Sequence, residues 1–149
     1  MDSLKKILVC LFIFLTGCGD MKSLPKIAHI DAMCITPYMD SNFKTCYTHT
    51  ALIDNKPVMI EKGFITDLAS IPRILWPIVS PLRSTTVTPS ILHDWLYYKP
   101  GGRSRLLVDD IYYASLLANG LSKGSAYRYY LSVRLFGWRY FNKRRKLND

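Results

Sequence analysis

The chain has 149 residues, a formal net charge of +9 and 49% apolar residues. That length suffices for one domain of modest core and excludes two. The charge is uneven: Lys123 to Asp149 holds eight basic residues and one acid, so nearly all the excess positive charge lies in the last fifth. His29, His49 and His93 are the only histidines, and no two stand at helical spacing, which argues against a two-histidine zinc motif.

The chain opens with Lys5 and Lys6, an apolar run from Ile7 to Phe14, and Leu15-Thr16-Gly17 before Cys18. So short a run cannot cross a bilayer core of about 30 Å as a permanent helix, and it reads as a secretory signal. The Leu-Thr-Gly-Cys step resembles the lipobox of bacterial lipoproteins. The resemblance implies cleavage after residue 17, acylation of Cys18, and an envelope protein facing the periplasm or the outside, with the outer membrane favoured by Gly19. The other reading is an ordinary signal with an incidental cysteine. Cleavage would leave 132 residues and a charge of +8, since Asp2, Lys5 and Lys6 depart.

Residues 18–30, with Lys22, Ser23, Pro25 and Lys26, read as a polar tether, and residues 31–149 as one domain. Cys34 and Cys46 are the pair left after Cys10 and Cys18 are assigned. In an oxidising compartment they form a disulfide worth about 3 kcal/mol, or else they remain two partly buried thiols. Thr45 to Ile53 and Val58 to Ile65 read as strands flanking the turn Asp54-Asn55-Lys56-Pro57. The segment Asp67 to Pro72 ends the second strand, and the stretch to Val87 is irregular.

The rest reads as helical, giving an α+β domain: an N-terminal hairpin or small antiparallel sheet, then three helices. Thr88-Pro89-Ser90 supplies a cap and a first-turn proline, and Lys99-Pro100-Gly101-Gly102 ends that helix. Ser104 caps a second helix running to about Asn119, with Gly120 as a left-handed terminus. The short connection makes these two an antiparallel pair. A third helix begins near Ser122 or Ser125 and runs to about Lys143, interrupted or bent at Gly137. On it Ala126, Tyr129, Tyr130, Val133, Phe136 and Tyr140 form an apolar stripe. The basic run Lys143-Arg144-Arg145-Lys146 beside Trp138, Tyr140 and Phe141 suits an anionic membrane surface, or is a solvated tail. An envelope location argues against nucleic acid as the partner.

The chemistry-bearing residues are His93 and Asp94 on the first helix and Asp109 and Asp110 on the second. His93 and Tyr97 share a face, while Asp94 points about 100° away. Asp109 falls on the apolar stripe of Tyr112, Tyr113 and Leu116, where an unpaired carboxylate costs several kcal/mol. Its partner is Arg105, one turn earlier, or His93 across the helix pair. Asp110 is a solvated acid or a second oxygen ligand. Asp67, Ser70 and Arg73 are turn makers or line the site. Ser70 lacks the Gly-x-Ser-x-Gly elbow of a hydrolase nucleophile.

Gly63-Phe64-Ile65-Thr66-Asp67-Leu68-Ala69-Ser70-Ile71-Pro72-Arg73, then Trp76, Leu92-His93-Asp94-Trp95-Leu96-Tyr97, Ser104-Arg105 and Val108-Asp109 resemble the phage and prophage family called domain of unknown function 1353. That resemblance spans about Val58 to Gly120, extends loosely into Val133-Arg134-Leu135-Phe136-Gly137-Trp138, and implies a shared domain without naming an activity. A second likeness is to the paired-helix core of secreted phospholipase A2 enzymes. It implies that His93 takes a proton from water, Asp109 orients it, and Asp94 ligates calcium that polarises an ester carbonyl. The chain lacks the glycine- and cysteine-rich calcium loop of those enzymes and the disulfides that join their two helices. The expectation is thus a lipid-anchored envelope protein that hydrolyses an ester, with calcium as cofactor. The alternative is a noncatalytic lipoprotein that modifies the host envelope, for instance in superinfection exclusion.

Overall fold

The computed structural model describes residues 23–39, 42–68, 75, 77–80 and 82–145. The leader, Cys18, Ser70 and Arg73 lie outside the described residues.

Among the described residues six short strands form two antiparallel sheets: β1 (Ile27–Ile30), β4 (His49–Ile53) and β5 (Lys56–Ile60) in the order β1-β4-β5, and β2 (Ile35–Tyr38), β3 (Asn42–Thr45) and β6 (Ile65–Thr66) in the order β2-β3-β6. The expected hairpin is β4 and β5, paired from His49 with Ile60 to Ile53 with Lys56. Asp54 and Asn55 make its two-residue turn with φ of 49° and 60°, a left-handed pair that short polar side chains tolerate. Thr45 and Ile65, expected at the far ends of this hairpin, instead belong to the second sheet. Ile27–Ile30, expected in the tether, pair with β4, and Asp31 accepts a hydrogen bond from the Thr50 amide at 2.7 Å. Cys34 and Cys46 are joined by a disulfide.

Among the described residues four helices follow: α1 (Ser84–Tyr98), α2 (Arg105–Ala118), α3 (Lys123–Phe136) and α4 (Trp138–Arg145). Pro89 lies inside α1 rather than in its first turn. A proline there cannot donate to the carbonyl four residues back, that of Thr85. The Asn119 side-chain amide, at the end of α2, donates to that carbonyl at 2.8 Å. The proline is therefore tolerated because the neighbouring helix satisfies the acceptor it frees. Ser104 and Ser122 cap α2 and α3, accepting from the Leu107 and Ser125 amides, and Gly120 closes α2 with φ of 92°.

Helices α1 and α2 pack together as expected. One apolar core fills the space between the strands and the helices, with Ala51, Ile60, Leu92, Leu96, Val108 and Phe141 at its centre. A second lies between α2 and α3, around Tyr112, Leu116, Ala126 and Tyr129. The apolar stripe expected along the third helix ends at Val133. Phe136 and Tyr140 are exposed and Phe141 is buried in their stead, because the break at Gly137 shifts the helical phase.

Candidate functional site

The helix pair positions an acid whose neighbours come from three helices. Asp109, 0% exposed, faces α1, where His93 and Tyr97 stand one turn apart on one stripe. The His93 Nε2 lies 2.9 Å from Asp109 Oδ1, and the Tyr97 hydroxyl donates to the same oxygen at 2.7 Å. Arg134, in the last turn of α3, donates from Nη1 to Oδ2 at 2.8 Å. The Arg105 guanidinium approaches Oδ2 at 3.7 Å and donates to the carbonyls of Val133 and Arg134, closing the C-terminal end of α3. Of the two partners expected for Asp109, His93 makes the hydrogen bond and Arg105 adds charge.

Burial pushes the Asp109 carboxyl up, but the hydrogen bonds from His93, Tyr97 and Arg134 outweigh it and hold the group below the usual carboxylate range. Burial and the adjacent Asp109 charge push the Tyr97 phenol up, so it remains a donor. An ionised carboxylate only accepts, so His93 Nε2 carries the proton. In the neutral ring Nδ1 then holds the lone pair. This Nδ1 is buried and has no hydrogen-bond partner among the described residues. The ring is 2% exposed, packed between Tyr97 and Tyr112 at centroid distances of 4.1 and 4.7 Å.

Asp94 Oδ1 lies 4.0 Å from His93 Nδ1, beyond hydrogen-bonding range. Asp94 is buried and accepts a hydrogen bond from the Thr66 hydroxyl at the end of β6. The same hydroxyl oxygen accepts from the Leu68 amide at 3.0 Å, where the chain turns with a left-handed φ of 61°. The Asp67 side of the turn is exposed. Asp110 sits beside the cluster, accepting from the Tyr130 hydroxyl at 3.1 Å. Burial raises its carboxyl above the usual range, and burial with the Asp110 charge pushes the Tyr130 phenol up to about 12.

Three residues that stand in the family likeness receive no site role from the sequence. Arg134 looks like one more charge in a basic tail, and only the packing of α3 on α2 brings it to Asp109. Thr66 stands in the Gly63 to Arg73 motif, but its neighbour Asp67 drew the functional expectation. Gly137 is a matter of room: a Cβ there would stand 2.6 Å from both the Tyr97 hydroxyl and the Val133 carbonyl. The gap after α3 thus lets Tyr97 reach Asp109. Among the described residues no group of three or more His, Cys, Asp or Glu could hold a metal ion, and no helix is long and apolar enough to cross a membrane.

The family model described as protein of unknown function (DUF1353) matches residues 40–133, and the chain belongs to that family. The match takes in Thr66, His93, Asp94, Tyr97, Arg105 and Asp109 and ends one residue before Arg134. No curated protein and no solved structure gives a significant match.

Proposed function

We propose that the protein is a lipid-anchored envelope hydrolase in which His93 and Asp109 activate water for attack on an ester, with phospholipid as the substrate class. The observation that carries this reading is the unpartnered Nδ1 of a buried histidine whose other nitrogen is fixed on an ionised aspartate. Leaving a buried polar atom unpaired costs about 1–3 kcal/mol, so its retention calls for an explanation, and a catalytic base is one. Asp109 sets the tautomer and would stabilise the imidazolium formed when Nδ1 takes a proton from water. Tyr97 and Arg134 hold that carboxylate in place. The ring is enclosed, so this chemistry requires the site to open to substrate.

Calcium enters only as a dependence to be tested. The ion takes six to eight oxygens, and the described residues place Asp94 beside Thr66 without assembling such a set, so no step is assigned to a metal. Anchoring through Cys18 rests on the Leu15 to Cys18 step alone.

The test is fatty-acid release from phospholipid vesicles by the full chain and by His93→Gln, each with calcium or with chelator. Loss of a general base predicts a rate about 10²- to 10⁴-fold lower in the variant. Equal rates would remove the hydrolase. The enclosure of His93 favours a second reading, a noncatalytic envelope protein in which the same cluster only braces three helices. It gains if neither protein releases fatty acid while cells expressing either one resist infection equally.

A further inference from the structure

Where α3 meets α4 the chain exposes what a core would bury. Leu135, Phe136, Trp138 and Tyr140 are all exposed around the joint at Gly137. Arg105, at the start of α2, donates to the carbonyls of Val133 and Arg134, which brings the first turn of α2, with exposed Leu106 and Leu107, to the same end of the molecule. Large apolar side chains clustered on one surface mark a site of interaction. The charge carried by this stretch of sequence is basic: Arg139 lies over the Trp138 ring at 5.2 Å, and Lys143, Arg144, Arg145 and Lys146 follow in the sequence. No acid occurs between Lys123 and Leu147.

We infer that this corner docks on the surface of a bilayer rich in anionic lipid. Aromatic rings with a polar edge settle at the headgroup level, aliphatic side chains enter the acyl boundary, and basic residues are drawn to the negative surface potential. The surface is independent of the His93 cluster and of Cys18, so it stands or falls apart from the hydrolase reading. Docking here would bring the end of the α1–α2 pair that carries Tyr97 and Arg105 toward the lipid.

The test follows Trp138 fluorescence in the full chain bound to vesicles containing brominated phosphatidylcholine, with or without phosphatidylglycerol. Subtracting the signal of Trp138→Phe isolates this ring, which is exposed and replaceable without disturbing the core. The expected result is bromine quenching at least about twofold stronger with phosphatidylglycerol, lost in Lys143→Glu/Arg144→Glu/Arg145→Glu and weakened in the unaltered chain by raising salt from about 0.1 to 1 M. Because the quenching reports the depth of one ring, retention of the protein on vesicles by its apolar leader cannot mimic it. Quenching that is equal on both lipids, or absent on both, overturns the proposal. So does a Trp138 shielded without lipid in a protein that sediments as a dimer, which would assign the surface to a second copy of the chain.

Discussion

Two buried carboxylates, Asp94 and Asp109, flank one imidazole and are held in opposite ways. Asp109 is a hub of the helical layer: its two oxygens take hydrogen bonds from His93 and Tyr97 on α1 and Arg134 on α3, while it projects from α2. Asp94 sits at the junction of layers, its carboxylate tied to Thr66 at the end of a two-residue strand. The first arrangement fixes three helices to one another, and the second fixes a sheet edge to a helix. The nitrogen of His93 bonded to Asp109 thus belongs to the helical hub, whereas Nδ1, 4.0 Å from Asp94 Oδ1, has no hydrogen-bond partner among the described residues.

The largest expected effect breaks the hub. Asp109→Asn keeps the shape but leaves the Arg134 charge and buried donors facing a neutral amide, and we expect a loss of about 3–5 kcal/mol in urea unfolding at neutral pH. The pH dependence has a definite sign. A carboxyl whose folded pKa lies below its unfolded value of about 4 contributes stability that is present above that value and is lost as pH falls through the folded pKa. The unaltered chain should therefore lose stability as acid is added below about pH 4, and Asp109→Asn should lose less over that window. An equal acid slope in the two proteins would mean that Asp109 is not the hub.

Next comes the space that Tyr97 needs. Gly137→Ala places a methyl group against its hydroxyl and the Val133 carbonyl, and overpacking of this kind costs about 1–3 kcal/mol. Tyr97→Phe should cost about 1–2 kcal/mol by itself, and in the double variant the two losses should fall short of additive, because removing the hydroxyl removes one of the two clashes. Full additivity in thermal unfolding would show that the glycine matters for another reason.

The smallest effect sharpens the other side. Thr66→Val removes the donor to Asp94 and the acceptor for the Leu68 amide, with an expected cost of about 1–2 kcal/mol in urea unfolding. Its distinguishing consequence is local: hydrogen exchange should quicken at the Leu68 amide while Tyr113 and Leu116 of α2 keep their protection. Uniform loss of protection would place Asp94 in the same cooperative unit as Asp109.

Much of this architecture is legible from residue order. Ser104, Gly120 and the Asp54-Asn55 turn act through bonds a few residues long, so their patterns announce the helix ends and the hairpin. Asp109 on an apolar stripe likewise announces a buried acid in need of partners. The expectation failed where a local rule met a distant compensation. The proline rule puts Pro89 at a helix start, whereas α1 begins at Ser84 and the Asn119 side chain, at the end of α2, satisfies the Thr85 carbonyl that the proline frees. Helical periodicity carries the apolar stripe on to Phe136 and Tyr140, but the joint at Gly137 interrupts it and both are exposed.

By itself, the order of residues determined the α+β class, the helix pair and the candidates His93, Asp94 and Asp109, because periodicity and capping are short-range. Only the tertiary structure decided that Arg134 and Thr66 complete the cluster, that Tyr97 shares the oxygen with His93, and that Nδ1 is the nitrogen left open. Hydrogen bonds between segments tens of residues apart depend on how helices and strands pack, and no local pattern in the chain records that packing.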